Sequence, residues 1–99
     1  MRVRVCNISF SKNSILVNKI KKYFKDVNFN FNGVRLDGEE LIDFCKDADA
    51  IIVGVEKINS SILKRLPNLK YIAKYGVGID NIDIDSCKER GVSLVGQEE

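Results

Sequence analysis

Gly76 and Gly78, one residue apart in KYGVGIDNID at 74–83, are the residues of this sequence best suited to holding a ligand. Glycine adopts positive φ at no steric cost and lets another group approach the main chain, so Gly-Val-Gly at the end of a strand reads as a cradle of backbone N–H groups for an anion. The turn imitates the first part of the dinucleotide fingerprint G-x-G-x-x-G, but the third glycine position is Asn81. The following helix is expected near Ile84 and not directly beneath the loop, so a pyrophosphate would lack its main donors. Carboxylate binding is therefore preferred over dinucleotide binding and over a turn with no ligand.

Other chemistries are poorly supplied. The chain has no histidine and three cysteines, Cys6, Cys45 and Cys87, without C-x-x-C spacing. A catalytic thiol would have no imidazole to activate it, and a metal site would be short of ligands, so the cysteines are assigned to the core as small apolar residues. Sixteen basic against fourteen acidic residues leave a net charge of +2, too little to imply a polyanionic partner. Lys19, Lys21, Lys22 and Lys25 form a solvated helix face with no stacking aromatics, so no nucleic-acid partner is expected. No apolar run approaches ~18 residues and Met1 leads straight into the strand-like RVRVC, so a soluble, cytoplasmic protein with no membrane partner is expected.

Residues 66–91, LPNLKYIAKYGVGIDNIDIDSCKERG, resemble the D-isomer-specific 2-hydroxyacid dehydrogenases, the phosphoglycerate dehydrogenase-like group, and the likeness extends more weakly through DADAIIVGVEKI at 47–58. The resemblance implies the substrate-binding domain of that family, here as its N-terminal part over residues 1–99, without the nucleotide-binding domain. It implies that the amides of Val77 and Gly78 hold the carboxylate of a small 2-oxo or 2-hydroxy acid, with Gly76 permitting the turn. Asp80 and Asn81 match the family's Asp-Asn pair and are expected to shape the loop and the cleft. Gly54 and Val55 stand where many relatives have Arg-Ser, although one branch resembles the V-G-x-E-K seen here. Glu56 is expected to be a solvated loop residue in preference to a ligand contact.

In that family, NAD or NADP exchanges hydride with carbon 2 of the acid while an arginine, a histidine and a glutamate bind substrate and handle the proton. Those residues and the cofactor's own glycine motif fall beyond residue 99, so no catalytic residue is assigned and no cofactor is expected on this chain alone. A non-catalytic, self-associating interaction module derived from the family is the alternative.

The elements that must position the loop follow from periodicity. Val3 and Val5 alternate with Arg2 and Arg4 in a first strand, and NISFSKNS is expected to be a polar loop ending at a cap, Asn13 or Ser14. Leu16, Ile20, Tyr23 and Phe24 lie at helical spacing, and Val27, Phe29 and Phe31 alternate in a polar edge strand. Asp37 and Glu40 predict a capping box ahead of Leu41, Phe44 and Cys45. AIIV at 50–53 predicts a strand buried on both faces, followed by a helix capped at Asn59 or Ser60 and stopped by Pro67. Tyr71–Ala73 delivers the glycine loop, Asp83 caps a fourth helix ended by Gly91, and Val92–Val95 forms the fifth strand.

This alternation predicts an α/β fold with a parallel five-stranded sheet in the flavodoxin-like order 2-1-3-4-5. A receiver-type aspartate is missing after the third strand, and the first loop has no glycine for a flavin phosphate. One helix is expected on one face and three on the other, which leaves the first face incompletely covered. Apolar residues of the third to fifth strands should be exposed there and recruit a partner, with a homo-oligomer expected.

Overall fold

The first strand, β1 (Arg2–Val5), is followed by two short helices, α1 (Ile8–Lys12) and α2 (Ser14–Tyr23), and by the strand β2 (Asp26–Phe29). Then come α3 (Gly38–Cys45), β3 (Ala50–Val53), α4 (Ser60–Lys64), β4 (Tyr71–Lys74), α5 (Ile84–Glu89) and β5 (Ser93–Val95). The structure is a computed structural model that describes residues 1–76 and 78–95. All four strand pairings are parallel and the order is β2-β1-β3-β4-β5, as the alternation predicts. The register sets Val3 against Ala50 and Ile51 against Ile72, so β3, the most apolar strand, lies at the centre between β1 and β4.

Two cores form, one on each face of the sheet. α3, α4 and α5 bury Leu41, Cys45, Ile62, Leu63 and Cys87 against Cys6, Ile51, Val53 and Ile72. On the other face Phe10 and Val17 pack on Val3, Val5 and Phe29. α2 turns Leu16, Val17 and Ile20 to the sheet, and Phe24 at its C-cap packs there too as its spacing predicts, whereas Tyr23 is 75% exposed. Phe31, expected to continue the edge strand, lies past its end and is exposed, stacked on Phe29 at 5.3 Å between ring centroids.

Most helix starts follow their caps. The side-chain oxygens of Asn13, Asn59 and Asp83 accept main-chain N–H bonds from the first turns of α2, α4 and α5. Asp37 does not: its side chain makes no cap bond, and its carbonyl accepts the Glu40 N–H at 3.2 Å instead. The capping box is therefore absent. α1 occupies the segment expected to be a loop. Five residues carry no readable period, and what holds them is tertiary: Asn7 Oδ1 accepts the Phe10 N–H at 2.7 Å, and Phe10 packs edge-on against Tyr75.

Arg4, which alternation places as a polar partner to Val3 and Val5, is 9% exposed. Its guanidinium reaches Asp26 Oδ1 at 2.9 Å and the Val3 carbonyl at 3.0 Å, the pairing a buried charge requires. Among the described residues the first face is open beyond α2. A groove of about 210 Å³ runs along it, lined by Met1, Phe24, Ala50, Ile52, Tyr71, Ala73 and Val95 among others. Two helices cannot cover five strands.

Candidate functional site

The loops after β1, β3 and β4 open side by side at the carboxyl edge of the sheet, where parallel α/β domains bind ligands. β4 is extended past its last residue by the Tyr75 N–H, which donates to the Val53 carbonyl at 2.7 Å. The chain then turns through Gly76 at φ +122° and Gly78 at φ +80°, conformations that L side chains rarely adopt. The main-chain N–H groups of Gly76 and Gly78 donate to no acceptor among the described residues, and both glycines are exposed. Val77, between them, lies outside the described residues. Lys74, at the end of β4, brings its Nζ to 4.0 Å from where a Cβ on Gly76 would sit, so a positive charge adjoins the turn.

Gly54 ends β3 and is held from several directions. Its N–H donates to Glu56 Oε1 at 2.7 Å, and its carbonyl accepts Asn81 Nδ2 at 2.9 Å. Asn81 Nδ2 also donates to the Glu56 carbonyl at 2.6 Å. One side-chain amide thus ties the glycine loop to the loop after β3. The two loops continue as a short parallel bridge between Ile58 and Ile82, with the Ile58 N–H on the Asn81 carbonyl at 2.9 Å and the Asp83 N–H on the Ile58 carbonyl at 2.9 Å. The third-glycine position of the imitated fingerprint is therefore occupied by a residue with its own structural work.

Asp80 stands exposed, and its carboxylate has no hydrogen bond or ion pair among the described residues. Glu56 overturns its expected placement: it is 2% exposed, and it folds back on its own loop. The sequence E-K after a strand resembles a solvated turn, and only the bonded Gly54 N–H distinguishes it. Behind this edge Cys6 and Cys45 meet at 3.4 Å between sulfurs, both fully buried. The hydrogen bond to Cys45 and burial push the Cys6 thiol well above its ordinary pKa, and the charge of Glu56 adds to this. These are core thiols, as their spacing implies.

Asn7, the cap of α1, is the residue of this edge that sequence reasoning missed. Its Nδ2 lies directly over Gly54, 1.8 Å from the point a Cβ there would occupy. The only sequence signal was an Asn three residues ahead of an apolar Phe.

A parallel five-stranded sheet in the order β2-β1-β3-β4-β5 with helices on its faces defines an α/β domain of the flavodoxin-like kind. The family model for the D-isomer specific 2-hydroxyacid dehydrogenase catalytic domain matches residues 8–97, and the chain belongs to that family. Curated relatives include the glycerate dehydrogenase of Hyphomicrobium methylovorum, 38% identical over 58 residues that make up 57% of this chain and 18% of that enzyme. The D-3-phosphoglycerate dehydrogenase of Methanocaldococcus jannaschii is 38% identical over 61 residues, 61% of this chain and 12% of that one. Among solved structures, the NAD+-bound 3-phosphoglycerate dehydrogenase of Entamoeba histolytica superposes with a TM-score of 0.78 at 28% identity, over 95% of this chain and 32% of that one. The matches thus span less than a fifth of these two curated relatives and about a third of that solved chain.

Proposed function

We propose that this chain is the substrate-binding portion of an NAD-dependent D-2-hydroxyacid dehydrogenase, holding the carboxylate of a small 2-oxo or 2-hydroxy acid on the backbone amides of the Gly76–Gly78 loop. The observation that carries the reading is the pair of unbonded N–H groups at Gly76 and Gly78, exposed at the strand-end edge with a lysine beside them. Two positive-φ glycines whose N–H groups are left unbonded at a strand end suit an anion, which satisfies both donors. Names of similar proteins, glycerate dehydrogenase and hydroxypyruvate reductase among them, agree with an acid of this size.

The residues present do not fit a nicotinamide dinucleotide. α5 begins at Ile84, several residues past the glycines, and Asn81 fills the place where a third glycine would let helix and pyrophosphate approach. With no histidine in the chain, none of its residues can supply the histidine general acid of the family's proton transfer. This chain's contribution is to bind and orient the acid.

Two charge-assisted contacts at about 1.5 to 3 kcal/mol each, less ordering costs, give an affinity of roughly millimolar. Titrating 15N-labelled protein with pyruvate should shift the amides of Gly76, Val77 and Gly78 together. Shifts scattered over the surface, or none at these residues up to tens of millimolar, would sink the reading. A second reading, a self-associating module, is favoured by the open apolar groove on the first face of the sheet.

A further inference from the structure

Asn7, Gly54 and the Tyr75–Gly78 turn follow three neighbouring strands, β1, β3 and β4, so they lie in a row along one edge. Adjacent strands are about 4.8 Å apart. Asn7 is then two strand spacings, about 10 Å, from an acid's anchor at Gly76 and Gly78, a span that a three-carbon acid covers with one hydrogen bond at each end. Gly54 presents no side chain there, and the Asn7 amide occupies the space one would fill.

The orientation of that amide is fixed by its other end. Oδ1 accepts the Phe10 N–H at 2.7 Å, so the NH2 group is the end that lies over Gly54. Neither of its N–H bonds has an acceptor among the described residues. The donor is neutral, which suits a hydroxyl oxygen better than a phosphate, for which Arg or Lys is the stronger partner.

We propose that the Asn7 side-chain NH2 is a specificity-determining donor of this site, which reads a hydroxyl on carbon 3 of the acid. The assignment rests on the carboxylate reading of the Gly76–Gly78 loop and adds to it a preference for glycerate-like over lactate-like acids.

D-Glycerate and D-lactate differ by that single hydroxyl, so the pair isolates it. Titrated into 15N-labelled protein, both should shift the Gly76 and Gly78 amides, with D-glycerate binding about 3- to 10-fold tighter, the worth of one neutral hydrogen bond. The side-chain NH2 signals of Asn7 should move with D-glycerate alone. In Asn7→Ser, which keeps a cap oxygen for α1 and removes the NH2, the two acids should bind equally. Equal affinity in the unaltered protein, or a preference that survives Asn7→Ser, overturns the assignment while leaving the carboxylate site standing. Silence of Gly76 and Gly78 toward both acids overturns both. Should Asn7→Ser lose its dispersed spectrum, the Asn7 NH2 response in the unaltered protein decides alone.

Discussion

At the scale of single residues, two glycines of the site are required for opposite reasons. Gly78 has φ +80° and nothing within 4 Å of an added Cβ, so only its backbone conformation excludes a side chain. Gly54 has an ordinary φ, but a Cβ would meet Asn7 Nδ2 at 1.8 Å and Cγ at 3.0 Å. Gly78→Ala should therefore cost about 1 kcal/mol in urea denaturation and leave the spectrum of α1 unchanged. Gly54→Ala must displace Asn7, losing its cap on α1 and straining the Gly54 bonds to Glu56 and Asn81, about 1 to 3 kcal/mol together. Its signature is a change at Phe10, whose N–H Asn7 holds. If the two variants lose equal stability and Phe10 is unmoved in both, Asn7 does not lie against Gly54. The sequence marked both glycines and Asn81 through their places in a loop, yet Glu56 and Asn7 were misread or missed. Loop chemistry is decided by which backbone groups happen to be near, and one-dimensional spacing carries no trace of that.

At the scale of elements, the strands were legible and the short helices less so. AIIV announces a central strand because both its faces are apolar, and the edge position of β2 follows from its asparagines. α1 escaped because its stability is borrowed from Phe10 packing against Tyr75, and on α2 Tyr23 leaves the apolar stripe that Phe24 keeps. The junctions between elements also carry titrating groups. Asp49 leads into β3 and accepts the Arg2 N–H at 2.7 Å, and this hydrogen bond holds its carboxyl below the usual carboxylate range. A lowered folded pKa contributes stability that is complete at neutral pH and is lost as pH falls through about 4 and below. Cys6 and Cys87 have raised values, Cys6 chiefly through its bond to Cys45 and Cys87 through burial. Raised thiol values stabilise below the ordinary thiol pKa of about 8.5, and that contribution fades as pH climbs beyond it, because the unfolded thiol ionises first. The urea midpoint should thus fall both below pH 4 and above pH 9, and Asp49→Asn should flatten the acid limb only. An acid limb unchanged in Asp49→Asn would remove Asp49 from the account.

At the scale of the whole molecule, coverage decides behaviour. A chain of 99 residues buries only about 60 to 65% of its unfolded surface, so each uncovered apolar strand is a large fraction of what it has. α3, α4 and α5 cover one face, while among the described residues α1 and α2 pack on β1, β2 and part of β3 on the other. Tyr71 at 38%, Val95 at 39% and Met1 at 59% exposed are left around the groove, with Ile52 and Ala73 half-buried on its floor. At about 25 cal/mol per Å2, covering several hundred Å2 of such surface offsets most of the cost of bringing two copies together. Sedimentation velocity should accordingly show a weight-average mass rising with concentration in the micromolar range. Ala73→Lys places a charge on the groove floor, three residues before Gly76, and should return the protein to monomer. A dilute and a concentrated sample that sediment alike would leave the open face as exposed surface and remove the reason to read the chain as a self-associating module, while a mass that rises equally in Ala73→Lys would move the contact to another part of the surface.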